Sequence, residues 1–424
     1  MAKTITGKQV GDSYYQVEHP SGLTVLLYPK EHCSTTYAIF GTRYGSIDNC
    51  FQRSDEAGPE SVPEGIAHYL EHKLFESEEG DAFERFSKTG ASANAFTSFE
   101  STCYLFSTTD QVYQSLEILL DFVQSPYFTE ETVRKEQGII GQEIKMYDDD
   151  PQWRVMFNYL KAMYHSHPIR EDIAGTVESI AKITPELLYR CYNTFYNLGN
   201  MVLAIAGNFQ VDKALAVCDK MLKPAAPVTV QRVFPQEPDT IVQPVVEERL
   251  SVASPLFQFG FKEPGADQPR SEKDVAATEV LLETLASDAS PLFRQLLDQG
   301  LVNESSFSYE YFEGNGYATV MFSGESKDPQ AVAQAILEEV ERFQREGIPA
   351  EAFERSKRAL YGELVAALNS TGSIANGLVN MHLKGRELFT YIDSLASLRL
   401  EDGEERLRKV FQRERSVLSV ILPH

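Results

Sequence analysis

The sequence predicts an α+β protein of two homologous halves, each a mostly antiparallel sheet covered by helices. Three observations predict it. The chain has 424 residues, beyond the length at which a single hydrophobic core usually divides. Its second part repeats the order of the first. YLFSTTDQVYQSLEILLDFVQSPYFTEETVRKEQGII (104–140) and VMFSGESKDPQAVAQAILEEVERFQREGIPAEAFERSKRAL (320–360) both run strand, turn, amphipathic helix, short proline-containing break, charged helix. Each half also finishes on an apolar strand, MVLAIAGNF (201–209) and SVLSVILPH (416–424).

The elements follow in order. GLTVLLYPKE (22–31) and TYAIFGTRYGS (36–46) are β-rich runs broken by turn residues. SVPEGIAHYLEHKLF reads as a helix, with Pro63 in the first turn and Ile66, Leu70 and Phe75 as part of an apolar stripe. DAFERFSKTG is a second helix, and SANAFTSFESTCYLFST alternates like a pair of strands. TEETVRKEQGIIGQEIKMYDDD carries acidic residues in its first turn, where the helix dipole favours them. KPAAPVTVQRVFPQEPDTIVQP holds five prolines and little periodicity, so it reads as a linker. The expected organisation is a domain over 1–222, a linker over 223–244 and a homologous domain over 245–424.

Composition narrows the function. A net charge of -23 argues against a nucleic-acid partner. No run of eighteen apolar residues predicts a membrane span, and MAKTITGKQVGDSYY has no apolar signal core. Five scattered cysteines without a CxxC pair point to a reducing cytoplasm and exclude a disulfide framework.

The chemistry is concentrated in 62-VPEGIAHYLEHKLFE-76. His68 and His72 are four apart, so on a helix they face one way and can grip one ion. Two neutral imidazoles suit zinc and leave room for a third protein ligand and a water. Glu71, three after His68, can reach that water without being a ligand. The pattern H-x-x-E-H is the zincin motif reversed. Downstream, Glu136 and Glu143 are seven apart, on one helix face, interleaved with Ile139, Ile140, Ile144 and Met146. Those apolar neighbours predict partial burial, and a buried carboxylate wants a cation. One of the two is then a ligand and the other a supporting group. The early helix of the second half, DVAATEVLLETLASDA, has Glu279 and Glu283 but no histidine.

HYLEH followed by E-x6-E in EQGIIGQEIKMYDDDP, with ASANAFTSFESTCYLF and HPIREDIAGTVESI, resembles the pitrilysin/insulinase family of zinc peptidases. The resemblance is to its bacterial two-half members, similar to processing-peptidase subunits. It implies one zinc held by His68, His72 and Glu143, with Glu71 as general base and Glu136 as a supporting carboxylate. It also implies that Asn94, Ala95 and Phe96 lie on the strand that pairs with substrate. The implied substrates are peptides or unfolded segments.

The second half departs from the family pattern. Leu296 or Leu297 stands where an arginine would be, and Asn303 where a tyrosine would be, while Arg294, Tyr309 and Tyr311 lie nearby off register. That departure resembles the zinc-bearing subunit of a heterodimer with an Arg/Tyr-bearing homologue, with a homodimer as the other arrangement. A maturation protease for ribosomally made peptides, and a non-catalytic assembly subunit of the same fold, are the rival readings. Elsewhere, His165 and His167 in YHSHP read as turn residues. GSIDN (45–49) and YDDDP (147–151) read as solvated, and the acidic runs 78-EEGD-81 and 401-EDGEE-405 as surface.

Overall fold

The computed structural model describes residues 2–78, 80–265 and 268–424, so Glu79 of the 78–81 acidic run lies outside them. The chain forms two compact units. The first comprises 1–144, 172–233 and 365–390, and the second 145–171, 234–364 and 391–424. The proline-rich segment is thus divided, with 223–233 in the first unit and 234–244 in the second.

The first unit is built on seven strands: β1 (Lys3–Gly7), β2 (Asp12–Glu18), β3 (Thr24–Pro29), β4 (Thr36–Thr42), β5 (Ser92–Thr97), β6 (Thr102–Thr108) and β7 (Met201–Gly207). Their order across the sheet is β1-β2-β3-β7-β4-β6-β5. Only β3 and β7 run parallel. All seven residues of β7 are buried, as expected of a central apolar strand covered on both faces. The helix Thr371–Leu383 lies against β7 and β4. The terminal strand β5 alternates between exposed Ser92, Asn94, Phe96 and half-buried Ala93, Ala95, Thr97.

Two helices of this unit carry the candidate chemistry. Helix α1 (Ile66–Leu74) packs against β5 and β6. It is buried nearly all round, including His68, Glu71 and Lys73, so it is no simple amphipathic surface helix. It starts from Gly65, not Pro63, and Gly65 adopts φ 84. A Cβ there would meet the Ala174 carbonyl oxygen at 2.2 Å, and one on Gly175 (φ 74) would meet the Glu64 carbonyl oxygen at 2.6 Å. The two glycines let the 172–176 loop close on the start of α1. Helix α2 (Glu130–Asp148) is held to α1 by the Tyr69 hydroxyl, which donates to the Val133 carbonyl.

Among the described residues the second unit has five strands: β8 (Val245–Leu250), β9 (Leu256–Lys262), β10 (Ser308–Gly314), β11 (Tyr317–Glu325) and β12 (Ser416–Pro423). Their order is β8-β12-β9-β11-β10, with β8 and β12 parallel and the other pairs antiparallel. This is the β3-β7-β4-β6-β5 pattern again, so the repeat legible in the sequence is a repeat of topology. The helix Pro151–Met163 covers this sheet, against β12, β9 and β8. Helix α3 (Glu272–Ala286) packs against β10, as α1 does against β5.

The linker does not run free within the second unit. Lys262 is almost fully buried and donates to Glu237 at 2.6 Å and to the carbonyls of Pro238, Thr240 and Met163. The Glu237 carboxylate also accepts the backbone N–H groups of His165, Ser166 and His167 at 2.7–2.9 Å. The YHSHP segment is therefore a turn wrapped on a carboxylate, and His167 bonds the Asn315 carbonyl. In the first unit, Asp48 of GSIDN is buried rather than solvated. It takes Arg232 at 2.6 Å and the Gly45 N–H at 2.9 Å.

Candidate metal centre and active site

The turn of α1 from His68 to His72 sets two imidazoles edge to face, with centroids 4.6 Å apart. Glu143 reaches both from α2. Its carboxylate oxygens lie 3.7 Å from His68 Nε2 and 3.4 Å from His72 Nε2. Single donor atoms of His68, His72 and Glu143 all fall within 4.8 Å of one another, the one such group of three among the described residues. In a tetrahedral zinc site with bonds of about 2.0–2.1 Å, neighbouring ligand atoms stand about 3.3–3.4 Å apart. The His–Glu separations are close to that spacing, and two imidazoles with a carboxylate are a donor set zinc accepts. The residues present fit the ion.

Electrostatics divide the two histidines. Burial, with a smaller push from His72, drives His68 down to about 4, which keeps its ring neutral. Burial also works against protonation of His72, but its hydrogen bond with Glu136 and the carboxylates of Glu71 and Glu143 outweigh it and raise its pKa. Glu136 is buried and bonds His72 Nδ1 at 3.1 Å. Burial would raise Glu136, yet the His72 bond holds it below the usual carboxylate range. A carboxylate on Nδ1 orients the ring and leaves Nε2 for an ion.

Glu71 faces the same region from α1. Burial raises its pKa, and a hydrogen bond from Thr97 partly opposes the rise. That bond, Thr97 Oγ1 to Glu71 Oε2 at 2.7 Å, comes from the last residue of β5. Thr97 was not among the residues the sequence singled out. The available signal was the alternation of 92–97, which turns Thr97 inward with Ala93 and Ala95. Asn94, Ala95 and Phe96 lie on the open edge of the seven-stranded sheet. Asn94 Oδ1 accepts the Ala95 N–H at 2.9 Å, and Phe96 is 40% exposed.

Helix α2 is partly buried, as its apolar residues predicted. Ile140 and Ile144 are buried, whereas Ile139 is 49% and Met146 71% exposed. Val133, Glu136, Ile140 and Ile144 form the buried stripe of α2, and Ile139 and Met146 fall outside it, on the other flank of the glutamates. In the second unit, Tyr311 is buried and donates to Glu263, which also takes Arg406. Tyr309 donates to Glu283, and Arg294 is exposed.

Comparisons with known proteins bear on the family and the fold. The insulinase (peptidase family M16) model matches residues 60–177, and the peptidase M16 inactive domain model matches 182–360. The chain is 39% identical to the uncharacterized zinc protease YmfH of Bacillus subtilis over the full length of both. It is 24% identical to a mitochondrial-processing peptidase subunit beta of Arabidopsis thaliana, covering 77% of this chain and 63% of that one. The crystal structure of an M16-like peptidase from Alicyclobacillus acidocaldarius superposes with a TM-score of 0.92 at 36% identity, covering 100% of this chain and 98% of that one. The chain belongs to the insulinase family of zinc peptidases, M16. No helix among the described residues is long and apolar enough to cross a membrane.

Proposed function

We propose that the chain is a zinc metallopeptidase that hydrolyses peptides or unfolded segments. The observation that carries this reading is the convergence of His68, His72 and Glu143 on one point, with the buried carboxylate of Glu71 on the same helix as the histidines. His68, His72 and Glu143 would hold one zinc, and Glu136 would keep the His72 ring turned toward it. Zinc held there would supply Lewis acidity toward a water and a peptide carbonyl.

The chain's own groups do the rest. Glu71 accepts a proton from the attacking water and later gives it to the leaving amine. Burial raises its pKa, the direction that favours taking a proton. An extended substrate adds beside Asn94, Ala95 and Phe96 as a further strand on β5, so main-chain bonds supply affinity and alternate side chains face opposite ways. The five cysteines are all free, which supports a cytoplasmic setting.

A partner completes the site in this reading. Tyr309 and Tyr311, the tyrosines nearest the family's substrate-holding position, spend their hydroxyls on Glu283 and Glu263 inside the second unit. A homologous subunit bearing the Arg/Tyr pair then supplies the missing donors. The test is to incubate the purified chain with a mixture of unfolded peptides, with and without a zinc chelator, and to map cuts by mass spectrometry. Chelator-sensitive cleavage is expected. Cleavage that survives complete removal of metal would overturn the assignment.

A further inference from the structure

A glutamate's terminal torsion is broad, so an unrestrained Glu71 carboxylate would sample many orientations. One hydrogen bond in the structure restrains it. Thr97 Oγ1 stands 2.7 Å from Glu71 Oε2, and the next hydroxyl along fixes the direction of that bond. Thr102, opposite Thr97 in the β5–β6 register, donates to the Tyr44 carbonyl at 2.9 Å. Its oxygen is 3.4 Å from Thr97 Oγ1. A hydroxyl has a single proton. Since the Thr102 proton is spent on Tyr44, Thr102 can only accept from Thr97, and at a long distance. The Thr97 proton goes instead to the nearer, charged acceptor, where hydrogen bonds are stronger.

The bond also joins two elements with different tasks. Glu71 is on α1 with both histidines, and Thr97 is on β5, the edge strand that bears Asn94, Ala95 and Phe96. One side chain therefore ties the proton acceptor to the strand that would set substrate register. We infer that Thr97 is a positioning residue, which pins Glu71 Oε2 so that Oε1 is presented to the reacting water at a fixed place relative to a substrate strand on β5. This rests on the peptidase reading above.

The repeat supplies the competing account. In the second unit Tyr309 of β10 donates to Glu283 of α3 at 2.5 Å, with the same separation of 26 residues between donor and acceptor. There Val280 and Thr284 occupy the places of His68 and His72. A hydroxyl-to-glutamate bond from edge strand to helix is thus part of the scaffold of both halves, and Thr97 must be shown to do more than brace it.

The experiment compares Thr97→Val, Thr97→Ser and Glu71→Gln in the zinc-loaded full chain, using a quenched fluorescent peptide that the wild type cleaves. Thr97→Val should lower kcat by about 10- to 100-fold, the scale for lost supporting partners, with KM and zinc content unchanged. Thr97→Ser, which keeps the hydroxyl, should recover activity to within a few fold of wild type. Adding Thr97→Val to Glu71→Gln should cost nothing further, because the two act as a unit. A second readout needs no metal and no turnover: the Thr97→Val minus wild-type infrared difference spectrum of the metal-free protein should show one shifted carboxylate stretch, absent when both proteins carry Glu71→Gln. Wild-type kcat in Thr97→Val, failure of Thr97→Ser to recover, an undiminished loss on top of Glu71→Gln, or an unchanged carboxylate band would each overturn the inference. If the wild type cleaves and Thr97→Val matches it, only the inference falls. If the wild type cleaves nothing, the peptidase reading falls and takes the inference with it.

Discussion

His72 Nδ1 and a carboxylate oxygen of Glu136 lie 3.1 Å apart, while His72 Nε2 faces Glu143 at 3.4 Å. One imidazole is therefore held between two carboxylates of a single helix face. The pairing assigns different tasks to two glutamates that look alike in sequence, and those tasks separate under mutation. Glu143→Gln and His68→Ala should abolish stoichiometric zinc. Glu136→Gln should retain zinc at saturating metal, with activity or affinity lowered about 10- to 100-fold. Elemental analysis of protein purified without added metal, followed by metal titration, checks this. The reverse order of zinc contents would put Glu136 on the metal.

The start of α1 gives a structural prediction. Gly65 takes a positive φ, and a Cβ on it would stand 2.2 Å from the Ala174 carbonyl oxygen. Gly65→Ala should cost at least about 1–3 kcal/mol, the scale of a residue forced into such a backbone region. Because α1 carries both histidines, the same change should weaken zinc binding. Denaturant unfolding and zinc affinity measured on one preparation test the linkage. Loss of stability with unaltered zinc affinity would show that the helix start does not set the ligand geometry.

Acid should release the segment bound by Lys262. Burial pushes Glu237 up, but the Lys262 ammonium and the His165 and Ser166 backbone N–H groups overcome it and hold the carboxyl at about 2, below its ordinary 4.5. A group depressed on folding contributes stability that is present above its unfolded pKa and lost as pH falls toward the folded one. The stability gap between wild type and Glu237→Gln should therefore be full at pH 6 and close between about pH 4.5 and 2. At pH 7 Glu237→Ala should cost about 3 kcal/mol, the low end for breaking a buried ion pair, since three carbonyls remain on Lys262. A pH-independent gap would mean that the carboxylate charge plays no part.

The partner reading predicts a concentration-dependent gain of function. Alone, the chain should cleave unfolded peptides slowly, because removing a transition-state donor commonly costs about 100-fold or more. Mixing it with a homologue that has the Arg/Tyr pair should raise turnover and shift the mass in light scattering to a one-to-one complex. Full turnover by a monomer, unchanged by the homologue, would contradict the split site.

What the sequence made legible was local. The histidines and Glu71 lie within one helical turn, so their common face follows from the 3.6-residue period alone. The repeat was legible because it preserves element order, and the five strands of the second sheet reproduce the order β3-β7-β4-β6-β5 of the first. Glu136 and Glu143 could be placed on one face but not told apart without the family resemblance, because which of them meets Nδ1 and which Nε2 depends on how α2 crosses α1. Partial burial of α2 was legible from its apolar residues, but which of them are buried was not: Ile140 and Ile144 are, whereas Ile139 and Met146 are exposed. Thr97 bonds Glu71 across 26 residues, from strand to helix, and no short-range periodicity encodes such a contact. The allotment of 151–163 to the second unit and 371–383 to the first is likewise a matter of long-range packing.

The central claim, that Glu71 is the proton acceptor of a zinc peptidase and not a ligand, is tested most directly by measuring zinc content and peptide cleavage on the same preparations of wild type and Glu71→Gln. The account predicts about one zinc per chain in both proteins and a loss of cleavage of at least about 100-fold in the variant. Loss of zinc from Glu71→Gln, or cleavage at the wild-type rate, would contradict it.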